Sequence, residues 1–181
     1  AYILKVSKDE ELEARADSII DCIERNQWDD GYFNIYYTVS GAKRFTERNN
    51  HELYCAGHLM EAAVAYYEAT GKTKFLDCMK KYADLIYKIF AEDGSAAFVT
   101  PGHEEIEMAL VRLYKCTGVK KYLELAGFFL DKRGNNTKDW YCADRSTAYY
   151  CQDHAPVREM DTAEGHAVRA LYLYCGMIDY A

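Results

Sequence analysis

Five histidines, at positions 51, 58, 103, 154 and 166, are the residues of this chain best suited to chemistry near neutral pH. An imidazole changes charge in that range and carries a donor and an acceptor on one ring. His51, His103 and His166 fall in the opening turns of the helices predicted after long loops, where loops and helix starts converge. In "HELYCAGHLMEAAVAYYEATG", residues 51 to 71, His51, Cys55 and His58 are spaced i, i+4, i+7 and share one helical stripe. That stripe could hold a metal, and its first two letters imitate a zinc-protease helix. The protease pattern needs a second histidine four residues on, however, and Cys55 stands there. A cysteine between Tyr54, Ala56 and Gly57 suits a packed helix face, so Cys55 is read as packing and no metal ligand is assigned.

Taken singly, each histidine is as readily a half-buried ring bonded to backbone. The shared placement of His51, His103 and His166 is what argues for a common binding pocket, with His58 and His154 as weaker candidates. The carboxylates of "GHEEIEMAL" could act as acid or base, but Glu104 and Glu105 sit where the helix dipole favours negative charge and are read as capping residues. Among the loop aromatics, Trp28, Tyr32, Trp140, Tyr149 and Tyr150 are candidates for stacking on a sugar ring. No P-loop, dinucleotide fingerprint, nucleophile elbow or Cys/His protease signature is present, which removes support for nucleotide, hydride and acyl-transfer chemistry.

The elements that must position these residues are all helical. Apolar residues recur at three and four, and the only prolines, Pro101 and Pro156, lie in loop-like stretches. Helices are predicted near 8–27, 51–70, 73–91, 103–117, 119–132 and 161–180, with Gly71, Gly118 and Gly134 as left-handed C-terminal caps. A shift of 47 positions superposes Ala62 on Ala109, Tyr67 on Tyr114, Thr70-Gly71 on Thr117-Gly118 and Lys74-Phe75-Leu76 on Lys121-Tyr122-Leu123. A third copy is read in "AVRALYLYCG", with Tyr172 and Gly176 in the places of Tyr114 and Gly118. Repeated helical hairpins build either an α-solenoid or a closed α/α toroid. The long loops 28–50, 92–102 and 134–160 each precede a histidine-bearing helix, whereas the "TG" turns are tight. Long loops gathered at one end of the inner helices favour the toroid and a pocket.

A net charge of −7, with basic residues scattered among acids, argues against nucleic acid as a partner. Charges interrupt every apolar stretch, and the acidic amphipathic first twenty residues resemble neither signal peptide nor membrane span, so a cytoplasmic protein is expected. Seven cysteines without a C-x-x-C pair fit reduced, mostly buried thiols. The sequon Asn135 to Thr137 is the only hint of secretion.

Three ordered motifs carry a resemblance. "HELYCAGHLMEAAVAYYEATGKTKFLD", "PGHEEIEMALVRLYKCTGVKKYLELAGFFLDKRG" and "QDHAPVREMDTAEGHAVRALYLYCGM", running from about Asp30 onward, resemble the catalytic domain of glycoside hydrolase family 127, the β-L-arabinofuranosidases. The resemblance implies part of an (α/α)6 toroid that acts with retention on terminal β-L-arabinofuranosides. It also implies a cysteine thiolate nucleophile on zinc, a separate acid Glu, and His51, His103 and His166 as sugar ligands. In the family pattern the zinc ligands, nucleophile and acid lie downstream of "GHAVRALYLYCGM". Residues 1–181 are therefore expected to be a partial catalytic domain, inactive alone, with no catalytic residue, metal ligand or cofactor of its own. Self-association through uncovered helix faces is expected. The rival readings are another toroid enzyme, a uronyl hydrolase or an epimerase using histidines as acid and base, and a helical-repeat binding module.

Overall fold

A computed structural model describes residues 1–135 and 145–181. Nine α-helices are seen among them: α1 Tyr2–Val6, α2 Glu10–Asn26, α3 Ile35–Ser40, α4 Glu52–Thr70, α5 Lys74–Tyr87, α6 Ile106–Thr117, α7 Lys120–Lys132, α8 Arg145–Tyr150 and α9 Ala167–Tyr180. A π-helical turn, Lys88–Glu92, prolongs α5, and a 3-10 turn covers Val157–Glu159. No strand occurs among the described residues.

The sequence repeat becomes a repeat of bonds. α4 and α6 end at Gly71 and Gly118, whose φ values of 74° and 72° suit a residue without Cβ. Their N–H groups donate to Tyr67 O at 2.8 Å and Tyr114 O at 2.7 Å. Thr70 and Thr117 hydroxyls donate back to Tyr66 O and Leu113 O, and then accept from Lys72 N and Val119 N. The third copy departs from this pattern. Gly176 lies inside α9 rather than at its end, and a Cβ there would stand 3.1 Å from Glu107 Cβ. It serves a close helix crossing, and α9 runs on to Tyr180.

Burial sorts the helices into two rows. α4 buries Leu53, Ala56, Gly57, Met60, Ala63, Val64 and Tyr66, residues on nearly every side, as an inner helix must. It packs beside α6, and α6 beside α9, while α5 and α7 stand behind them with α2 against α5. Met79, Tyr82, Ile86, Leu110, Leu113, Leu125 and Phe129 fill the space between the rows. This layering is part of an (α/α)6 toroid, as anticipated. Among the described residues no helix is long and apolar enough to cross a membrane.

The inner helices run in the same direction but start at different heights. Arg112 of α6 reaches Glu61 and Glu68 of α4, and Lys115 meets Asp179 of α9 at 3.5 Å, which fixes the parallel sense. Glu105 and Ile106, at the start of α6, lie against Gly57, well inside α4. α6 therefore begins below its neighbours α4 and α9. Both later inner helices also start later than predicted, at Ile106 rather than 103 and at Ala167 rather than 161. The chain ahead of each is committed to side-chain and loop contacts instead of helical bonds.

Candidate functional site

His51, His103 and His166 do not occupy opening turns. Each precedes one: His51 and His166 are the residues that flank α4 and α9, and His103 lies three residues before α6. His51 holds a left-handed backbone, φ 58° and ψ 22°, unusual for a residue with a Cβ. Its ring lies 5.7 Å from that of His103. Tyr54, one helical turn on, packs its ring 4.4 Å from both His103 and His58. Tyr172 of α9 closes the group at 5.7 Å from His103 and 5.9 Å from His58. His166 packs on Tyr150, 5.1 Å away, and is near enough to His103 to act on it electrostatically. His154 stands apart and stacks on Tyr149 at 4.6 Å.

Hydrogen bonding fixes one tautomer. Nδ1 of His103 is 2.8 Å from Glu104 O, a group that only accepts, so Nδ1 carries the proton and Nε2 presents a lone pair. Burial holds His103 below the usual imidazole range, and the nearby Arg169, His51 and His166 push the same way. Burial also holds His58 low, against the opposing pull of Glu61. Around neutral pH both rings are uncharged.

Beneath the rings, three buried guanidinium groups grip three successive carbonyls. Arg48, just before His51, donates from Nε to Thr100 O at 2.8 Å. Arg133, after α7, donates to Pro101 O at 2.9 Å, and Arg169, three residues after His166, donates to Gly102 O. Thr100, Pro101 and Gly102 lead directly into His103, so the three loops that carry the three histidines are tied at one point. Gly102 permits the approach, because a Cβ there would lie 2.7 Å from Arg48 O. Arg133 also meets Glu104 at 3.0 Å and Glu107 at 3.3 Å, and Arg48 pairs with Asp153. Two guanidiniums face three carboxyls in this group. Burial is the main reason that Glu104 is pushed up to about 8, with Arg133 opposing and Glu107 and Asp153 reinforcing it.

Several side chains do something other than their spacing suggests. Glu104 and Glu105 are fully buried; Glu105 stands at the N-cap position of α6 but its side chain makes no capping bond, and its own N–H donates to Glu107 Oε2 at 3.1 Å. Cys55 is exposed beside Tyr54 and His58, not packed, and of the six described cysteines only Cys78 and Cys151 are buried. Tyr32 is a core residue that donates its hydroxyl to Glu52, so it cannot stack on a ligand. Trp28 is exposed but lies under Arg44, 4.8 Å from its ring. Glu52, the acid of the "HE" pair, also accepts from Phe45 N at 2.8 Å and thereby pins the loop before α4. Trp140 and Cys142 lie outside the described residues. Tyr54 and Tyr172 were missed as site residues because tyrosines at helical spacing read as core, although Tyr54 shares the stripe of His51 and His58.

No group of three or more His, Cys, Asp or Glu side chains that could hold a metal forms among the described residues. Cys78, Cys116 and Cys151 all have thiols pushed up by burial, the reverse of an activated thiolate. The residues present therefore do not fit a zinc-thiolate centre.

The family profile described as β-L-arabinofuranosidase, GH127 catalytic domain, matches residues 1–181. The chain belongs to glycoside hydrolase family 127. A non-reducing end β-L-arabinofuranosidase of Bifidobacterium longum is 36% identical, aligned over 98% of this chain and 30% of its own length. The crystal structure of a GH127 β-L-arabinofuranosidase from Geobacillus stearothermophilus T6 superposes with a TM-score of 0.86 at 46% identity, covering 97% of this chain and 30% of that one. A second GH127 β-arabinofuranosidase structure gives a TM-score of 0.89 at 42% identity, over 99% and 29%. The chain thus spans about 30% of the length of these family 127 relatives.

Proposed function

We propose that this chain forms the sugar-binding recess of a retaining glycosidase that acts on terminal β-L-arabinofuranosides, with His51, His103 and His166 as sugar ligands and His58 beside them. The observation that carries this reading is the convergence of three histidine-bearing loops at the N-terminal ends of α4, α6 and α9. Neutral imidazoles suit hydroxyl groups, since each offers one donor and one acceptor. The aromatic faces of Tyr54 and Tyr172 suit the apolar face of a sugar ring.

The recess binds and orients; the zinc and thiolate of the family reading belong to segments of the longer family enzymes outside the stretch matched here. Family membership and this geometry together favour the glycosidase over a uronyl hydrolase, an epimerase or a binding module. His154, stacked on Tyr149 away from the cluster, is a lesser candidate. The apolar Ile35 and Val39 of α3 and Leu171 and Ile178 of α9, all exposed, support self-association, which light scattering over a concentration series tests.

The decisive experiment is an NMR titration of the 181-residue chain with L-arabinose, paired with an assay on an aryl β-L-arabinofuranoside. The expected result is shifted imidazole resonances of His51, His103 and His166, loss of those shifts in His103→Ala, and no turnover. Turnover by the chain itself, abolished in His103→Ala, would overturn the division between binding and chemistry.

A further inference from the structure

Glu105 has no part in the ionic floor or in the ring cluster, yet it lies between them. Its side chain is fully buried, and neither carboxyl oxygen has a hydrogen-bond partner. It fits only because residue 57 is glycine, since a Cβ there would overlap Glu105 Oε2 outright. Among the described residues, the one basic group near enough to pair with it is His58, whose Nδ1 is 3.5 Å from Oε1.

The titratable neighbours come from three helices: Cys55, His58 and Glu61 of α4, Glu107 of α6 and Tyr172 of α9. The cations that could serve those acids are engaged, Arg112 with Glu61 and Arg133 with Glu107. An ionised Glu105 would carry the full desolvation cost of a buried carboxylate and would also face the repulsion of Glu61 and Glu107. The N-terminus of α6 offsets only a small part of that. The neutral acid wins, and burial holds the group at about 9. A buried O–H needs an acceptor, and the nearest is Nδ1 of the neutral His58 ring, which a small side-chain shift from 3.5 Å would bring into bonding range.

We propose that Glu105 is a positioning residue: its carboxyl O–H donates to Nδ1 of His58 and fixes that imidazole as the Nε2–H tautomer, a donor toward the recess. His103 is fixed in the opposite sense, with Nδ1–H tied to Glu104 O and Nε2 free to accept. The two rings, both packed on Tyr54, therefore present one donor and one acceptor. A hydroxyl group that both gives and takes a hydrogen bond can use the pair together. That last consequence rests on the sugar-pocket reading; the tautomer does not.

The test is long-range 1H–15N correlation NMR of the full chain at pH 7, with 13C observation of the Glu105 carboxyl. The expected spectrum shows His58 neutral with its proton on Nε2, and a carboxyl that stays protonated through pH 7. Glu105→Gln keeps a donor and should preserve the tautomer, whereas Glu105→Leu should let the Nδ1–H form appear and weaken L-arabinose binding about tenfold, one hydrogen bond's worth. An Nδ1–H or doubly protonated His58 in the unmodified chain, or a carboxyl that ionises in the ordinary range, overturns the proposal. If Glu105→Leu fails to fold, the unmodified chain and Glu105→Gln decide it. If the tautomer is found but neither protein binds L-arabinose, Glu105 keeps its role and the sugar-pocket reading fails.

Discussion

The ring cluster and the ionic floor are built from the same three loops, yet they obey opposite rules. The floor is sealed: Arg133, Glu104 and Glu107 are fully buried, and the guanidinium has value there only while its carboxyl partners remain. The ring cluster is open: His51 and His58 are exposed and His103 half-buried, with Tyr54 edge to face against His58 and His51 tilted against His103. The floor holds positions, and the cluster keeps ring faces and ring nitrogens exposed. A site of the kind proposed needs both.

The contrast can be broken most forcefully at Arg133. Arg133→Met leaves Glu104 and Glu107 buried without their cation and takes the donors from Pro101 O and Cys151 O. It should cost about 3–5 kcal/mol, read from urea unfolding, and a loss below 1 kcal/mol would mean that the floor is not held by charge. A smaller loss, about 1–3 kcal/mol, is expected for Tyr32→Phe by the same measurement, because Glu52 Oε1 loses its donor inside the core.

The pH dependence separates the regions without mutation. Glu104 and Glu105 are raised to about 8 and about 9, so above the unfolded carboxyl range the folded state keeps protons that the unfolded chain has released. Their contribution is fully present below the unfolded value of 4.5 and declines as pH rises toward those folded values. The depressed His58 and His103 act oppositely, but only below the unfolded imidazole value of 6.5. The clean window is about pH 7–8, where stability should fall by up to about 1.4 kcal/mol per unit for each proton retained. A flat profile across that window would sink the assignment of neutral buried acids. The mildest change is His103→Ala, which should alter stability by about 1 kcal/mol or less while removing the ligand response; calorimetry of unfolding and of binding distinguishes the two.

Much of this architecture was legible because it is written in local chemistry. The "TG" turns, the 47-residue repeat and the inner position of α4 follow from glycine, threonine and apolar spacing. The three histidines were singled out by where they stand relative to long loops. What was not legible depends on distant partners. Glu104 and Glu105 read as caps since nothing in "GHEEIEMAL" reveals that Arg133 or Gly57 will arrive beside them. Gly176 read as a third cap because its neighbours match Gly118, whereas its actual use is set by Glu107 across a helix crossing. Cys55 read as packing because its flanks are small, although its own direction is outward.

The stagger of the inner helices is a length that can be counted. Gly57 lies six residues beyond His51, and it is Gly57 that meets the start of α6. At 1.5 Å per residue, the start of α6 at Glu105 lies roughly 9 Å along α4 from His51. That offset is fixed by how many residues α4 completes before α6 begins. A one-turn change in either helix start would change it by about 5 Å without altering any ring of the cluster.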